Sequence, residues 1–275
     1  MSGFLDSMAQ SSAARVAAAA QRESFAELRQ RALALHAAPP LRLSPDGFDV
    51  IAEIKLRSPA AGQLGVQSDD WLARALDYCR GGAAAVSVLT EPSRFDGSLE
   101  HLQRAAQALR PLNVPAMRKD FLVDRYQVAE ARAAGAGGVL LIVRMLTPPQ
   151  LERLLDAAAE FGLFVLLEAF DGDDLTAAAE ALRGRERHAP QVLIGINSRD
   201  LQTLKVIPER FDVLAPLLPA GWPAVAESGV ANCADAKHMQ RLGYRLALIG
   251  TALMTSSEPA RFLSEIFDAT RTLKT

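Results

Sequence analysis

The chain has 275 residues, 49% of them hydrophobic, and a formal net charge of −2. This length suits one large domain or two small ones, with enough apolar material for a substantial core. The near-neutral charge gives no basis for nucleic-acid binding, which normally needs a basic face. No apolar run approaches membrane-spanning length and the N-terminus lacks a secretory signal, so the cytoplasm is expected. Cys79 and Cys233 lie far apart in helical patterns, where we expect buried thiols rather than a disulfide.

Residues 1–46 are predicted to form an N-terminal helical extension. Ser11 and Ser12 could cap an Ala-rich helix that runs to Ala20. Ser24 and Glu27 fit a capping box that opens a second helix. The Ala-Pro-Pro sequence at 38–40 is expected to end that helix.

Residues 47–275 alternate between strand and helix patterns. A short strand begins at Val50, and the further predicted strands are 84–89, 115–121, 139–143, 164–169, 192–197, 224–228 and 246–250. The predicted helices are 70–79, 98–109, 124–134, 148–161, 173–182, 208–217, 234–242 and 259–273. Eight such units of roughly 25 residues predict an α/β fold, a (β/α)8 TIM barrel.

A doubly wound open sheet is the structural rival of the barrel. Such a sheet ordinarily has fewer strands, and the chain shows no dinucleotide-binding fingerprint. The glycine-rich run from Gly135 to Gly138 precedes a strand instead of following one, so it is typical of a helix C-cap.

Polar residues collect where the predicted strands end. Glu53 and Lys55 end the first strand, and alternation places both on the face opposite Val50. Strands buried on both faces rarely carry charges that are neither paired nor functional. Four further strands show the same pattern and end in Lys119 and Asp120, Glu168, Asn197 and Arg199, and Glu227 and Ser228. In a barrel these ends share the C-terminal face, where catalytic groups gather, so the pattern predicts a functional site.

The last two units carry a phosphate-binding signal. Ser228 and Gly229 follow the seventh strand, and Gly250 and Thr251 follow the eighth. Small residues let backbone N–H groups approach an anion, assisted by a helix N-terminus. Loops after strands seven and eight form the usual phosphate site of barrels. Tight turns without a ligand would explain the same glycines.

Seven segments resemble motifs of the indole-3-glycerol phosphate synthase family. They are IAEIKLRSP, SVLTEPSRFDGS, MRKDFLVDRYQVAEARAAGA, LLEAF, IGINSRDLQTLKV, AESGV and LIGTALM. They follow the family's order and spacing, and the combination of AEIK, RKDF and GINSRDL is highly specific. That family also places an extra helix over the barrel mouth, where the N-terminal extension of this chain would lie.

The resemblance implies a carboxy-lyase of tryptophan synthesis that closes the indole ring. Its substrate would be 1-(2-carboxyphenylamino)-1-deoxyribulose 5-phosphate, and its products indole-3-glycerol phosphate, CO₂ and water. The family uses no cofactor or metal, and the histidines and cysteines of this chain show no ligand spacing. The implied binding partner is this small phosphorylated substrate, and neither nucleic acid nor a membrane is expected to bind. The protein is expected to be a monomer or a weak homodimer.

The resemblance also implies catalytic roles. An acid must protonate the substrate ketone while the electron-rich aromatic carbon attacks it. A lysine with a lowered pKa suits this task, and a neighbouring ammonium favours the lowering. By analogy Lys119 is the acid and Lys55 holds the substrate carboxylate, although either lysine fits each proton transfer. Glu53 would pair with the two lysines and orient them. Glu168 would act in dehydration as acid or base, and Asn197 would orient the anilino nitrogen.

The remaining family positions would bind the substrate. Glu227 would contact the sugar hydroxyls. The aromatic ring would lie in an apolar slot made by Leu89, Phe95, Phe121 and Leu140. An ordinary place in the barrel core is the alternative explanation for these four residues. Phosphate would be bound near Arg199 by Ser58, Ser228, Gly229, Gly250 and Thr251.

Three departures from the family pattern are visible, and the first is Gly137-Gly138 in place of a usual acidic start to the fourth strand. Leu167-Glu-Ala-Phe170 replaces the commoner Val-Glu-Val-His, and we expect the altered neighbours of Glu168 to face the outer helices or the loop. Residues 183–191 make a longer connection than usual, expected to be a solvated loop at the bottom face.

Two alternative functions remain at this point. One is another phosphate-binding barrel enzyme, such as phosphoribosylanthranilate isomerase. That isomerase uses a Cys/Asp acid–base pair, and no cysteine here ends a predicted strand. The other is a non-catalytic paralogue that binds a metabolite, against which the presence of both Lys119 and Glu168 argues.

Overall fold

The computed structural model describes residues 3–45, 47–58, 62–63, 70–185, 191–201 and 203–271, without the side chains of Ser58, Gln63 and Asp70. Its strands are β1 (Asp49–Ile54), β2 (Arg57–Ser58), β3 (Gly62–Gln63), β4 (Ala85–Leu89), β5 (Ala116–Lys119), β6 (Gly138–Ile142), β7 (Phe164–Ala169), β8 (Val192–Asn197), β9 (Ala224–Glu227) and β10 (Leu246–Ile249). Eight of them form a closed parallel barrel in the order β1-β10-β9-β8-β7-β6-β5-β4, while β2 and β3 pair as a small antiparallel hairpin. The predicted (β/α)8 barrel is therefore confirmed, and the open sheet is excluded.

Helices follow the barrel strands, and two more precede the barrel. They are α1 (Phe4–Ala20), α2 (Phe25–Ala34), α3 (Asp70–Arg80), α4 (Pro92–Phe95), α5 (Leu99–Leu109), α6 (Arg125–Ala133), α7 (Pro148–Phe161), α8 (Gly172–Ala181), α9 (Glu209–Leu214), α10 (Cys233–Arg241), α11 (Thr251–Thr255) and α12 (Pro259–Thr270). Within the described residues no helix is long and apolar enough to cross a membrane.

The barrel strands sort their side chains into two apolar clusters. In β1, Val50, Ala52 and Ile54 pack between the barrel and its helices, whereas Ile51 belongs to the cluster inside the barrel. Glu53 follows Ile51 on the interior side and reaches the cavity at the barrel mouth. This is the predicted alternation, and it carries the polar strand ends inward.

The extension differs from prediction at its first helix. α1 begins at Phe4 rather than near Ser11, because Gly3 occupies the cap position and its N–H donates to Asp6 Oδ2 at 3.0 Å. Ser12 is therefore a fully buried residue in the middle of the helix and not a cap. The second predicted cap is confirmed, since Ser24 Oγ accepts the Glu27 N–H and the Glu27 carboxylate accepts the Ser24 N–H. α2 ends at Ala34, several residues before the prolines.

The remaining differences are local. α4, α11 and the β2–β3 hairpin were not predicted, because each contains too few residues to show a period. Gly135 has φ +87, as a helix C-cap glycine requires. Cys79 and Cys233 are free and half-buried, which corrects the expectation that both are buried. Several predicted positions lie outside the described residues. They are Pro59, residues 186–190 of the long connection and residues 272–273 of the last helix.

Candidate active site

Polar strand ends and apolar side chains surround one cavity of about 330 Å³ at the C-terminal end of the barrel. Every predicted site residue whose side chain is described lines this cavity. The polar and small ones are Glu53, Lys55, Lys119, Glu168, Asn197, Arg199, Glu227, Ser228, Gly229, Gly250 and Thr251, and the apolar ones are Leu89, Phe95, Phe121 and Leu140. The predicted role of Ser58 falls on a side chain that lies outside the described part of the chain.

Lys119 holds the central position among the polar groups. It is the last residue of β5, and its Nζ lies 3.1 Å from Glu168 Oε2 and 3.3 Å from Glu227 Oε2. Asn197 Nδ2 donates to the second oxygen of Glu168 at 3.1 Å. Four strands therefore contribute one connected polar group, whose orientation is fixed by direct contacts.

Lys55 forms a second ion pair beside the first. Its Nζ lies 2.8 Å from Glu53 Oε1, and both side chains are largely buried. Gly250 makes room for this pair, because a Cβ at that position would collide with the Glu53 carboxylate and approach Lys55 Nζ to 2.8 Å. The φ of Gly250 is −111, so the glycine is required for space and not for a left-handed backbone.

The carboxylates shift the titration of this cluster in opposite directions. Burial lowers the pKa of Lys119, but the charges of Glu168, Glu227 and Glu53 outweigh burial and raise that pKa above its ordinary value. Burial and the neighbouring Glu168 raise the pKa of Glu227 well above the ordinary value, against the opposing effect of Lys119. Burial also raises the pKa of Glu53, yet Lys55 and Lys119 reverse the shift and hold it below the ordinary value.

The expectation of a lowered pKa at Lys119 is therefore wrong for the ligand-free site. Lys55 was expected to depress it, but Lys55 is itself paired with Glu53, and Lys119 faces carboxylates instead. The ammonium of Lys119 is consequently protonated throughout the neutral range. A group of this kind always carries a proton to donate, and it is held in place before any ligand arrives.

The apolar side of the cavity is built from aromatic rings. The Phe95 and Phe121 ring centroids lie 6.2 Å apart at 38°, and Phe4 contacts Phe121 edge-on at 5.7 Å. Leu89 and Leu140 complete this wall. Glu91 fixes the short helix that carries Phe95, because its carboxylate accepts two backbone N–H groups at the start of α4.

The turns after β9 and β10 shape the other side of the cavity. Ser228 and Gly229 both have positive φ, +61 and +157, and the Ser198 hydroxyl donates to the carbonyl of Ser228. The Arg199 guanidinium lines the cavity and donates to the carbonyl of Leu204 at 2.8 Å. Small residues and one cation thus face the space where the phosphate is predicted to bind.

Two of the altered neighbours of Glu168 lie where the sequence predicts, and the third, Phe170, does not. Leu167 and Ala169 pack in the cluster between barrel and helices. Phe170, directly after the strand, is buried in the apolar cluster inside the barrel, with the Arg144 guanidinium 4.7 Å from its ring centroid. The direct contacts of Glu168 are with Lys119 and Asn197 and involve none of these three residues.

Sequence reasoning placed the N-terminal extension over the barrel mouth but did not predict which of its residues line the cavity. Phe4 and Leu5 of α1 line the cavity, and Asp120 lines it beside Lys119. Because the start of α1 was placed near Ser11, these first residues showed no predicted role. The sequence analysis did identify Asp120 at the charged end of the third predicted strand. The neighbouring sequence, however, does not indicate which residues Asp120 contacts.

The described residues hold no group of three or more His, Cys, Asp or Glu side chains arranged to bind a metal. The two cysteines lie on α3 and at the start of α10, away from the cavity lining. A Cys/Asp acid–base pair of the isomerase type is thus absent from the described part of this site.

Comparisons with known proteins agree on one family. The model of a family described as indole-3-glycerol phosphate synthase matches residues 5–266. A protein of that name from a Nocardioides species is 44% identical over 246 residues, covering 87% of this chain and 90% of that protein. Indole-3-glycerol phosphate synthase 1 of Streptomyces coelicolor is 40% identical over 250 residues, covering 90% and 88%.

Solved structures with a similar fold are more distant in sequence. Thiamine phosphate pyrophosphorylase from Pyrococcus furiosus has a TM-score of 0.58 at 16% identity, covering 82% of this chain and 96% of that one. Orotidine 5'-phosphate decarboxylase from Pyrococcus horikoshii has a TM-score of 0.55 at 14% identity, covering 82% and 100%. At these identities the similarity shows the barrel fold alone.

Proposed function

The chain belongs to the indole-3-glycerol phosphate synthase family, and from this premise we propose how its barrel mouth carries out the reaction. The enzyme is a carboxy-lyase that converts 1-(2-carboxyphenylamino)-1-deoxyribulose 5-phosphate into indole-3-glycerol phosphate, CO₂ and water. The observation that carries the assignment of roles is the contact of Lys119 Nζ with Glu168 and Glu227 inside the cavity. We place the reaction in the cytoplasm.

Ring closure is the step that needs an acid. The aromatic carbon that bears the carboxylate attacks the ketone carbon, and the electron pair of the C=O bond moves onto oxygen. Lys119 donates a proton to that oxygen as charge develops. Because Glu168 and Glu227 already orient the ammonium, little reorganisation is required when the substrate binds.

Loss of CO₂ follows ring closure and restores the aromatic ring. The bond between ring carbon and carboxylate breaks, and its electron pair returns to the ring. Lys55 binds the substrate carboxylate before this step and positions the ring for attack. Glu53 keeps the Lys55 ammonium in the cavity through the 2.8 Å ion pair.

Dehydration completes the indole. One proton joins the new hydroxyl, which leaves as water, and another leaves the carbon next to the nitrogen. Glu168 makes one of these transfers, since its carboxylate lies between the Lys119 ammonium and the Asn197 amide. Asn197 orients the anilino nitrogen whose lone pair assists departure of the hydroxyl. Glu227 contacts the sugar hydroxyls.

The shape of the cavity supports one orientation of the substrate. The aromatic ring would occupy the wall built by Leu89, Phe95, Phe121 and Leu140, where desolvation favours an apolar group. The phosphate would lie at the turns after β9 and β10, near Ser228, Gly229, Gly250, Thr251 and Arg199. The reacting ketone then falls between these two ends, beside the lysines.

Turnover tests the proposal. The purified chain is incubated with the carboxyphenylamino substrate, and formation of product is followed by indole fluorescence and by release of one CO₂ per indole. Lys119→Met and Glu168→Gln should fold normally and turn over far more slowly. A chain that binds the substrate without forming indole would instead be the metabolite-binding paralogue. Conversion of phosphoribosylanthranilate would indicate the isomerase.

A further inference from the structure

We propose that Arg15 of the N-terminal helix is a positioning residue for the acid. Through its ion pair with Asp120, Arg15 fixes the end of the strand that carries Lys119. This inference rests on the proposed role of Lys119. It adds a residue that is far from Lys119 in the sequence and does not line the cavity.

Asp120 is the centre of a buried polar network. Its side chain is 0% exposed, and each oxygen accepts hydrogen bonds from more than one group. Oδ1 accepts from Arg15 Nη2 at 2.8 Å and from the Phe121 N–H at 2.8 Å. Oδ2 accepts from Arg15 Nη1 at 2.9 Å, Thr90 Oγ1 at 2.7 Å and Arg118 Nη2 at 3.1 Å. Arg15 therefore provides a bidentate contact, the arrangement with the strictest geometry.

The network acts directly on the backbone that carries Lys119. Asp120 follows Lys119 in the chain, and the Thr90 N–H donates to the Lys119 carbonyl at 3.0 Å. The hydroxyl of the same Thr90 donates to Asp120. Thr90 thus holds the carbonyl of Lys119 and the carboxylate of the next residue, and that carboxylate also accepts the Phe121 N–H.

α1 contacts this strand end at two points. Arg15 Nη2 also donates to Ser12 Oγ at 2.7 Å, one helical turn away, and the Ser12 hydroxyl donates to the Phe121 carbonyl. One face of α1 therefore binds the side chain of Asp120 and the backbone of Phe121 together. A shift of the helix would move both the lysine and an aromatic wall of the cavity.

Charge balance explains why Arg15 matters although Arg118 is also present. Arg118 is shared, because its Nη1 lies 3.0 Å from Glu130 while its Nη2 contacts Asp120. Two carboxylates therefore face two guanidiniums, and removal of Arg15 leaves one negative charge uncompensated. Buried charges without partners are unfavourable, so the strand end is expected to rearrange. Misplacement of a catalytic group by about 1 Å can reduce the rate about a hundredfold.

The test compares Arg15 with another arginine of the extension. Arg31 makes an equivalent bidentate pair with Glu23, at 2.8 and 2.7 Å, but this pair is exposed and does not line the cavity. Arg15→Ala, Arg15→Lys and Arg31→Ala are assayed for kcat, KM and thermal unfolding, with and without non-denaturing concentrations of guanidinium ion. Lys119→Met is measured in the same series.

We expect Arg15→Ala to lower kcat about tenfold to a hundredfold, and added guanidinium to restore part of that loss. Arg15→Lys should be intermediate, because an ammonium keeps the charge but cannot form the fork. Arg31→Ala should retain its kcat and gain nothing from guanidinium. A role in stability alone would change the unfolding temperature without a guanidinium-dependent kcat.

Wild-type kcat in Arg15→Ala would overturn the inference, as would a loss that guanidinium fails to restore. If Arg15→Ala does not fold, wild-type kcat in Arg15→Lys overturns it. The outcome for Lys119→Met separates the two proposals. An active Lys119→Met refutes the assignment of the acid, whereas an inactive Lys119→Met with an unaffected Arg15→Ala refutes only the positioning role.

Discussion

Replacing Lys119 with Met tests the assignment of the acid most directly. Met fills similar volume without an ammonium, so the change removes both ion pairs, to Glu168 and to Glu227, without opening a large cavity. The two carboxylates then face each other, and the pKa of Glu227 rises further because the ammonium that opposed the shift is gone. Uptake of a proton by this pair should let the variant remain folded.

The size of the kinetic effect follows from the role. A positioned acid contributes about 10²–10⁴ in rate, equivalent to roughly 3–5 kcal/mol, so kcat should fall by that factor. KM should stay close to wild type, because Lys119 interacts mainly with charge that develops in the transition state. Lys55→Met should raise KM as well as lower kcat, because Lys55 binds the substrate carboxylate in ground state and transition state alike.

Steady-state constants for both variants check this comparison, with single-turnover rates to reveal any masking by product release. Lys237→Met is the matched control, because Lys237 is an exposed residue of α10 that does not line the cavity. An increase of KM in Lys119→Met with kcat near wild type would refute the assignment. Lys55 would then be the acid.

Three further predictions concern the rest of the cavity. Thr251→Asp places a carboxylate where the phosphate should bind, so KM should rise at least tenfold, about the effect of one charge-assisted hydrogen bond. Thr255→Asp, at the other end of α11, is the control and should bind substrate as the wild type does. Equal KM values for the two variants would show that the phosphate binds elsewhere. Gly195→Ala should lower kcat, because the added Cβ would collide with the Glu227 carboxylate. Wild-type kinetics in this variant would show that Glu227 needs no fixed position. Glu227→Gln should gain stability relative to wild type as pH rises above about 4.5. The unfolded carboxyl group ionises there, whereas the raised pKa makes ionisation of the folded Glu227 less favourable. Thermal unfolding at pH 4.5 and 7 checks the sign.

The barrel and its polar mouth were accessible from sequence because both depend on local periodicity. In β1 a period of two places Ile51 and Glu53 on one face, and the fold class then determines that this face is the interior. The same argument places Glu168 and Asn197, each at the inward-facing end of its strand. Residues of this kind need only the correct strand and the correct parity.

The contribution of α1 could not be found in this way. Arg15 contacts Asp120 across more than a hundred residues of sequence, and neither residue carries a local sign of that contact. Ser12 misled the prediction, because a serine pair before an Ala-rich run is typical of a helix start. In the folded protein Ser12 instead contacts the backbone of Phe121. Such pairings are decided by how the elements pack, and a single sequence does not contain them.

The direction of the pKa shift at Lys119 was missed for the same reason. The strand ends predicted which charges share the mouth, but not that Lys55 pairs with Glu53 while Lys119 contacts Glu168 and Glu227. That pairing turns an expected decrease of the pKa into an increase. The mechanism must therefore account for proton donation by a lysine that starts as a weak acid.

Binding of the substrate is the step that can strengthen this acid. A ligand that engages Glu227 and Glu168 through hydroxyl and amine groups draws their charge away from Lys119 and expels water. The pKa of Lys119 should then be lower in the complex than in the free enzyme, in which the three carboxylates raise it. Because kcat/KM reports the free enzyme and kcat the complex, the alkaline limb of kcat should lie at lower pH than that of kcat/KM. The two pH profiles, each compared with its Lys119→Met counterpart, test this. Coincident alkaline limbs, or limbs that survive in Lys119→Met, would show that Lys119 is not the group whose proton is transferred.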